Sequence, residues 1–183
     1  MQLDPILMQK ADILKQTDHF NSGYYNPGWS EKQAIFLVLA GKKPLGEAAS
    51  AHYVIEGTTA TATPDDHAAV GELLSRLGLA YALTDRFGFT IATVSLDQPL
   101  VDQYVATHDM RIIGKLFGFP ATAVAAFDTN KAMDGDEQDR LLAEAGLANA
   151  PGFFRFSKDH AQEELAVVRD WYQTLLAYRL IQQ

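Results

Sequence analysis

The spacing of apolar residues changes twice along the chain, and this change limits the possible folds more than any single motif does. Residues 1–45 show helical spacing, which predicts an N-terminal helical pair. Residues 51–96 include segments in which apolar and polar side chains alternate, as they do in strands that bury one face. Residues 97–183 return mainly to helical spacing. Together these blocks predict an α+β fold.

The middle block predicts a strand, a helix and a hairpin. Thr63 can cap this helix, with Pro64 at its first position and Asp66 at its third. The turn at 85–88 favours an antiparallel hairpin. We therefore expect a small, partly antiparallel sheet with six to eight helices packed mainly on one side. The expected strands lie near 51–56, 79–84 and 88–96, with a further short strand at 153–157.

The length and composition are those of an ordinary globular protein. A chain of 183 residues fits one domain spanning 1–183, and with 48% apolar residues it can build a core without a metal or disulfide. It has no cysteine, which fits a reducing compartment, and we expect no secretory signal and no membrane span. The net charge of −8 without a basic cluster disfavours nucleic acid as a partner. We expect a cytoplasmic protein.

A break at Gly118-Phe119-Pro120 predicts an elbow between two helices. Arg111 and Lys115 are four residues apart and would share a face of the first helix. Pro120 would be the first residue of the second helix, leaving Phe119 at an N-cap position without a capping side chain. Free backbone N–H groups beside Thr122 would then suit a small anion. The alternative is a packing corner whose donors meet water or another side chain.

A second group of polar residues suggests chemistry that a metal could assist. His52 and Glu56 would share one face of a strand, and Asp65 and His67 would lie at the following helix start. Two imidazoles and two carboxylates can bind a divalent metal or transfer protons, which would suit a small hydrolase. No paired metal-ligand spacing supports this hypothesis, and capping or surface exposure explains the same residues. We expect neither a metal nor a cofactor.

Two aromatic segments suggest recognition. The loop after the first helix contains His19, Tyr24, Tyr25 and Trp29, which supply contact area for a ligand or a protein, or simply pack over the neighbouring helices. The last helix, near 158–181, carries aromatic residues beside its aliphatic stripe. This surface would suit a homodimer, unless the first two helices cover it.

No catalytic motif is present. The chain lacks GxSxG, the GxxxxGK[ST] phosphate loop and GxGxxG. We therefore expect a non-catalytic binding or interaction protein, whose partner is a small anionic molecule at the elbow of residues 111–122 or another protein. A metal-assisted hydrolase and a homodimeric interaction subunit are the alternatives. The ligand-binding residues expected from sequence are Arg111, Lys115, Thr122, Tyr24, Tyr25 and Trp29.

Overall fold

Four antiparallel strands form the sheet of this α+β protein. The computed structural model describes residues 3–20, 31–56, 59–86 and 88–181, and of residues 52–56 and 59–62 it describes the backbone alone. The chain divides into two compact units, Met1–Ala106 and Thr107–Gln183. The α+β class predicted from sequence is confirmed. The expectation of one domain over residues 1–183 stays a prediction.

Among the described residues, the first unit contains the sheet and four helices. The elements in chain order are α1 (Pro5–Gln16), α2 (Lys32–Leu39), β1 (Leu45–Glu56), β2 (Thr59–Pro64), α3 (His67–Arg76), β3 (Ala80–Arg86), β4 (Phe89–Ser95) and α4 (Gln98–Ala106). The strand order is β2-β1-β4-β3. The long strand β1 pairs with β4 through its first half and with β2 through its second half. The hairpin predicted at 85–88 joins β3 to β4.

Helices lie on both faces of the sheet, with α2 on one face and α4 on the other. A Cβ atom at Gly46 would lie 3.0 Å from Val38 Cγ2 and 3.1 Å from the Ala34 carbonyl oxygen, which shows that α2 lies directly against this position of β1. Successive residues of a strand point to opposite faces. The next residue, Glu47, accepts a hydrogen bond of 2.8 Å from Tyr104 of α4 on the other face. Every residue of β4 is therefore buried.

The strand boundaries correct three sequence predictions. Strand β1 begins at Leu45 rather than near residue 51. Residues 59–64 form β2, and the helix that follows begins at His67 rather than at Pro64. The alternation of Thr and Ala in this segment suits a strand, because threonine is branched at Cβ. Asp66, not Thr63, caps α3 through the amide of Ala68.

The second unit is helical. Its elements are α5 (Met110–Leu116), α6 (Ala121–Ala126), α7 (Gly135–Glu144) and α8 (Ala161–Ala177). A capping box between Asp134 and Glu137 starts α7. The strand expected at 153–157 does not form; Ser157 makes an isolated bridge with Ala132. The stripe of α8 is buried, and Trp171 is only 1% exposed. A homodimer through this helix stays a prediction.

Candidate functional site

A buried carboxylate organises the polar residues of the first unit. Asp65 lies between β2 and α3 and is 4% exposed. Its Oδ2 atom accepts a hydrogen bond from the Ser50 hydroxyl of β1 and lies 2.8 Å from His19 Nδ1. The side chain of His19 remains 21% exposed. One buried carboxylate thus holds an imidazole at the protein surface.

The hydrogen-bond network determines which nitrogen of His19 carries the proton. The backbone N–H of Phe20 donates to Ser50 Oγ at 3.2 Å, so the Ser50 hydroxyl hydrogen can be directed to Asp65. An ionised carboxylate only accepts hydrogen bonds, so the neutral His19 ring must carry its hydrogen on Nδ1. The lone pair of that ring then lies on Nε2. Carboxylate contacts of this kind fix the orientation and tautomer of functional histidines.

His19 lines a cleft between the end of α1 and helix α3. The cleft has a volume of about 340 Å³ and is lined by Ile13, Gln16, Thr17, His19, Ala69, Glu72, Leu73 and Arg76. Small-molecule sites occupy roughly 300–1,000 Å³, which puts this cleft at the lower end of the range. Its lining combines apolar contact surface with an imidazole, a carboxylate and a guanidinium. Such a composition can both hold and orient a small molecule.

Arg76 and Glu72 supply the charges of this cleft. They are four residues apart on α3 and therefore lie on one face of the helix. Both side chains are exposed, and neither forms an ion pair with any residue for which the structure gives a side chain. The guanidinium of Arg76 is therefore available to a ligand. A guanidinium binds carboxylates and phosphates through two parallel hydrogen bonds.

A buried lysine supports the wall of the cleft at Thr17. The Nζ atom of Lys32 donates a hydrogen bond of 2.6 Å to the carbonyl oxygen of Thr17, the residue that ends α1. Burial lowers the pKa of the Lys32 ammonium, while the charge of Asp18 opposes this effect. This contact satisfies an otherwise unpaired carbonyl at the helix end. It also joins α2 to the segment that carries His19.

Asp65 and His67, two of the four residues that the sequence suggested for a metal-assisted site, belong to two different contacts. His67 Nε2 lies 2.9 Å from Asp85 Oδ1 at the surface, whereas Asp65 binds Ser50 and His19. The side chains of His52 and Glu56 lie outside the described residues. Elsewhere, no three His, Asp or Glu residues with described side chains come together as a metal would require. The metal-assisted hydrolase therefore stays a prediction.

The elbow forms, but its start differs from the prediction. Pro120 is the N-cap of α6 with an extended ψ of 137°, and Ala121, not Pro120, is the first helical residue. Gly118 has a φ of 72°, which lets its amide and that of Phe119 bond back to the end of α5. Arg111 and Lys115 are exposed on α5. The elbow is thus a compact corner between two short helices.

Thr122 is already engaged with a carboxylate of the chain. Its hydroxyl donates a hydrogen bond of 2.6 Å to Glu164 Oε1, and Glu164 Oε2 accepts the Ser157 amide at 2.7 Å. Glu164 is 1% exposed. Its carboxylate therefore meets the side chain that the sequence assigned to an external anion. The predicted site at residues 111–122 stays a prediction.

Sequence reasoning did not bring the cleft residues together. From sequence, His19 was grouped with the aromatic loop. The other residues named in that loop, Tyr24, Tyr25 and Trp29, lie outside the described residues. Arg76 was not among the predicted site residues. The contact between His19 and Asp65 spans 46 residues, and that between Ser50 and Asp65 spans 15. No short-range pattern marks such contacts. One available signal was the spacing of Glu72 and Arg76 on an amphipathic helix.

Two further observations concern membrane-spanning helices and similarity to known proteins. Among the described residues, no helix has both the length and the hydrophobicity needed to cross a bilayer. The cytoplasmic location stays a prediction. Comparison of the chain with family models, with curated proteins and with solved structures found no significant match.

Proposed function

We propose that the first unit binds a small molecule with an anionic group, in the cleft between α1 and α3. The observation that carries this proposal is the imidazole of His19, which a buried carboxylate holds at the wall of a cleft that also presents Arg76. The proposal keeps the ligand class expected from sequence and places it at a different site.

The charges of the cleft define the ligand further. Arg76 would bind the anionic group, and Ile13 and Leu73 would contact an apolar portion. Glu72 would repel a second negative group nearby. The cleft should therefore prefer a molecule with one carboxylate or a similar anion. The elbow is less favourable, because Thr122 already donates to Glu164.

Titration with defined anions tests this proposal. We would add butyrate, glutaramate (the monoamide of glutarate) and inorganic phosphate, and follow backbone amide signals by NMR. We expect saturable shifts at the cleft residues Thr17, Ala69 and Leu73. Removal of a charge-assisted hydrogen bond costs about 1.5–3 kcal/mol, so Arg76→Gln should weaken binding roughly 10-fold to 100-fold. Arg140→Gln, an exposed site on α7, is the matched control.

Two results would contradict the proposal. One is the absence of saturable binding by all three anions. The other is equal affinity of wild type and Arg76→Gln. An Arg111→Gln, Lys115→Gln double variant tests the elbow in the same titration, since a loss of affinity there would move the anion site to the second unit.

A further inference from the structure

The tautomer of His19 suggests a role beyond binding. The Asp65 carboxylate is hydrogen-bonded to Nδ1 of His19, and the other ring nitrogen, Nε2, makes no hydrogen bond with a described residue. A neutral imidazole with a free lone pair on Nε2 is a general base. The carboxylate stabilises the imidazolium that forms when the ring takes up a proton. The pair is therefore arranged for proton transfer in the cleft.

Building on the anion-binding function above, we propose that His19 is the general base of a hydrolytic site whose substrate is a small carboxylic ester with an anionic group. Arg76 would hold the anionic group, and Asp65 would act as a positioning residue.

Water is the nucleophile that this site can activate. The chain has no cysteine, and Ser50 is fully buried with its hydroxyl hydrogen directed to Asp65. The Thr17 hydroxyl oxygen accepts the His19 amide at 3.3 Å, a contact that ties it to the backbone. In the part of the chain that the structure describes, neither of these hydroxyls is hydrogen-bonded to His19 Nε2, so neither is activated by this base for attack on the substrate. Base-assisted attack by water requires no nucleophilic side chain.

The step balances with water as the only co-reactant. His19 Nε2 takes a proton from water while the water oxygen bonds to the acyl carbon of the ester. The resulting tetrahedral intermediate expels the alcohol oxygen as the carbon–oxygen bond breaks. The imidazolium then returns the proton to the departing oxygen. One ester and one water thus give a carboxylic acid and an alcohol, and His19 regains its original state.

Hydrolysis of mono-4-nitrophenyl glutarate tests the inference, with 4-nitrophenyl acetate as the uncharged comparison. General-base catalysis contributes about 10²–10⁴-fold, so His19→Gln should lower kcat/KM for the glutarate ester at least about 100-fold. His67→Gln, which removes the histidine of the exposed pair, should leave the rate unchanged.

A spectroscopic readout separates the positioning role of Asp65 from a purely structural role. In the wild type, long-range ¹H–¹⁵N NMR should show neutral His19 protonated on Nδ1. Asp65→Asn should reduce this tautomer and the rate together. If that variant does not fold, Ser50→Ala provides the same comparison with a smaller change.

The outcomes distinguish the two proposals. Loss of turnover in His19→Gln, with binding of glutaramate retained, supports both. Equal hydrolysis by wild type and His19→Gln, or a neutral ring protonated on Nε2, overturns the catalytic inference while the binding proposal stands. Equal binding of glutaramate by wild type and Arg76→Gln overturns the anion-binding function, whatever the rates are.

Discussion

Lys43 lies just before β1, and only 3% of its surface is exposed. An ammonium group in such a place loses its hydration, which disfavours the charged form. Burial lowers the pKa of Lys43 from 10.5 to about 7. In the unfolded chain the same side chain is solvated and keeps its ordinary pKa. The stability of the protein should therefore depend on pH through this residue.

The sign of the effect follows from proton binding in the two states. Between pH 7 and 10.5 the unfolded chain binds a proton at Lys43 that the folded protein does not hold. The free energy of unfolding therefore rises with pH, by up to about 1.4 kcal/mol per pH unit. From pH 7.5 to 9.5 the gain should be roughly 2–3 kcal/mol. This stabilisation is complete above pH 10.5 and is lost as the pH falls toward 7.

Substitution of Lys43 by Met removes the titrating group and keeps an unbranched side chain. Urea unfolding followed by circular dichroism at several pH values gives the free energy of unfolding of each protein. We expect Lys43→Met to lose the pH-dependent gain. Its stability relative to wild type should fall by roughly 2–3 kcal/mol from pH 7.5 to 9.5. Comparing how steeply the free energy of unfolding changes with pH in the two proteins separates the effect of ionisation from the effect of altered packing.

Lys42→Met is the matched control, because it removes the same charge from an exposed neighbouring position. The free energy of unfolding of Lys42→Met should depend on pH in the same way as that of the wild type. Parallel curves for wild type and Lys43→Met over this interval would refute the reasoning, since they would mean that the Lys43 ammonium stays hydrated in the folded protein.

Two further predictions concern the second unit. In Glu164→Gln the amide oxygen can still accept the Ser157 N–H, but the NH₂ group takes the place of the oxygen to which the Thr122 hydroxyl donates, so that charge-assisted hydrogen bond is lost. We expect a loss of about 1–3 kcal/mol in urea unfolding, and no change for the exposed Glu163→Gln. Arg179 has a φ of 60° after the end of α8, a conformation that costs a non-glycine residue about 1 kcal/mol. Arg179→Gly should therefore raise the melting temperature, whereas Arg169→Gly within α8 should lower it; the reverse order would show that Arg179 is not strained.

Local patterns were sufficient for several elements. Helix α1 begins at Pro5 after the Asp4 cap, and α7 begins with the capping box that starts at Asp134. These signals act within one helical turn, so they can be recognised without tertiary contacts. The hairpin of β3 and β4 was likewise predictable, because its turn joins strands adjacent in the chain.

Competing local signals explain the error at residues 59–64. Thr63, Pro64 and Asp66 resemble the start of a helix, whereas the alternating threonines suit a strand. Pairing with β1 decides between them, since it satisfies the backbone groups of the segment. Propensity is a weak guide where a partner strand is available.

The chain's composition and hydrophobic periods were enough to predict an α+β protein with two N-terminal helices, a hairpin and a helical second half. They could not predict the cleft. Asp65, His19 and Ser50 come from three separate segments. They meet because β1 pairs with β2 and because the segment after α1 is hydrogen-bonded to Ser50 through the Phe20 amide. Local structure depends on neighbours within a few residues, whereas a polar site depends on which distant residues share a buried environment. Only the tertiary structure decides that His19 faces the cleft with its Nδ1 held by a buried carboxylate.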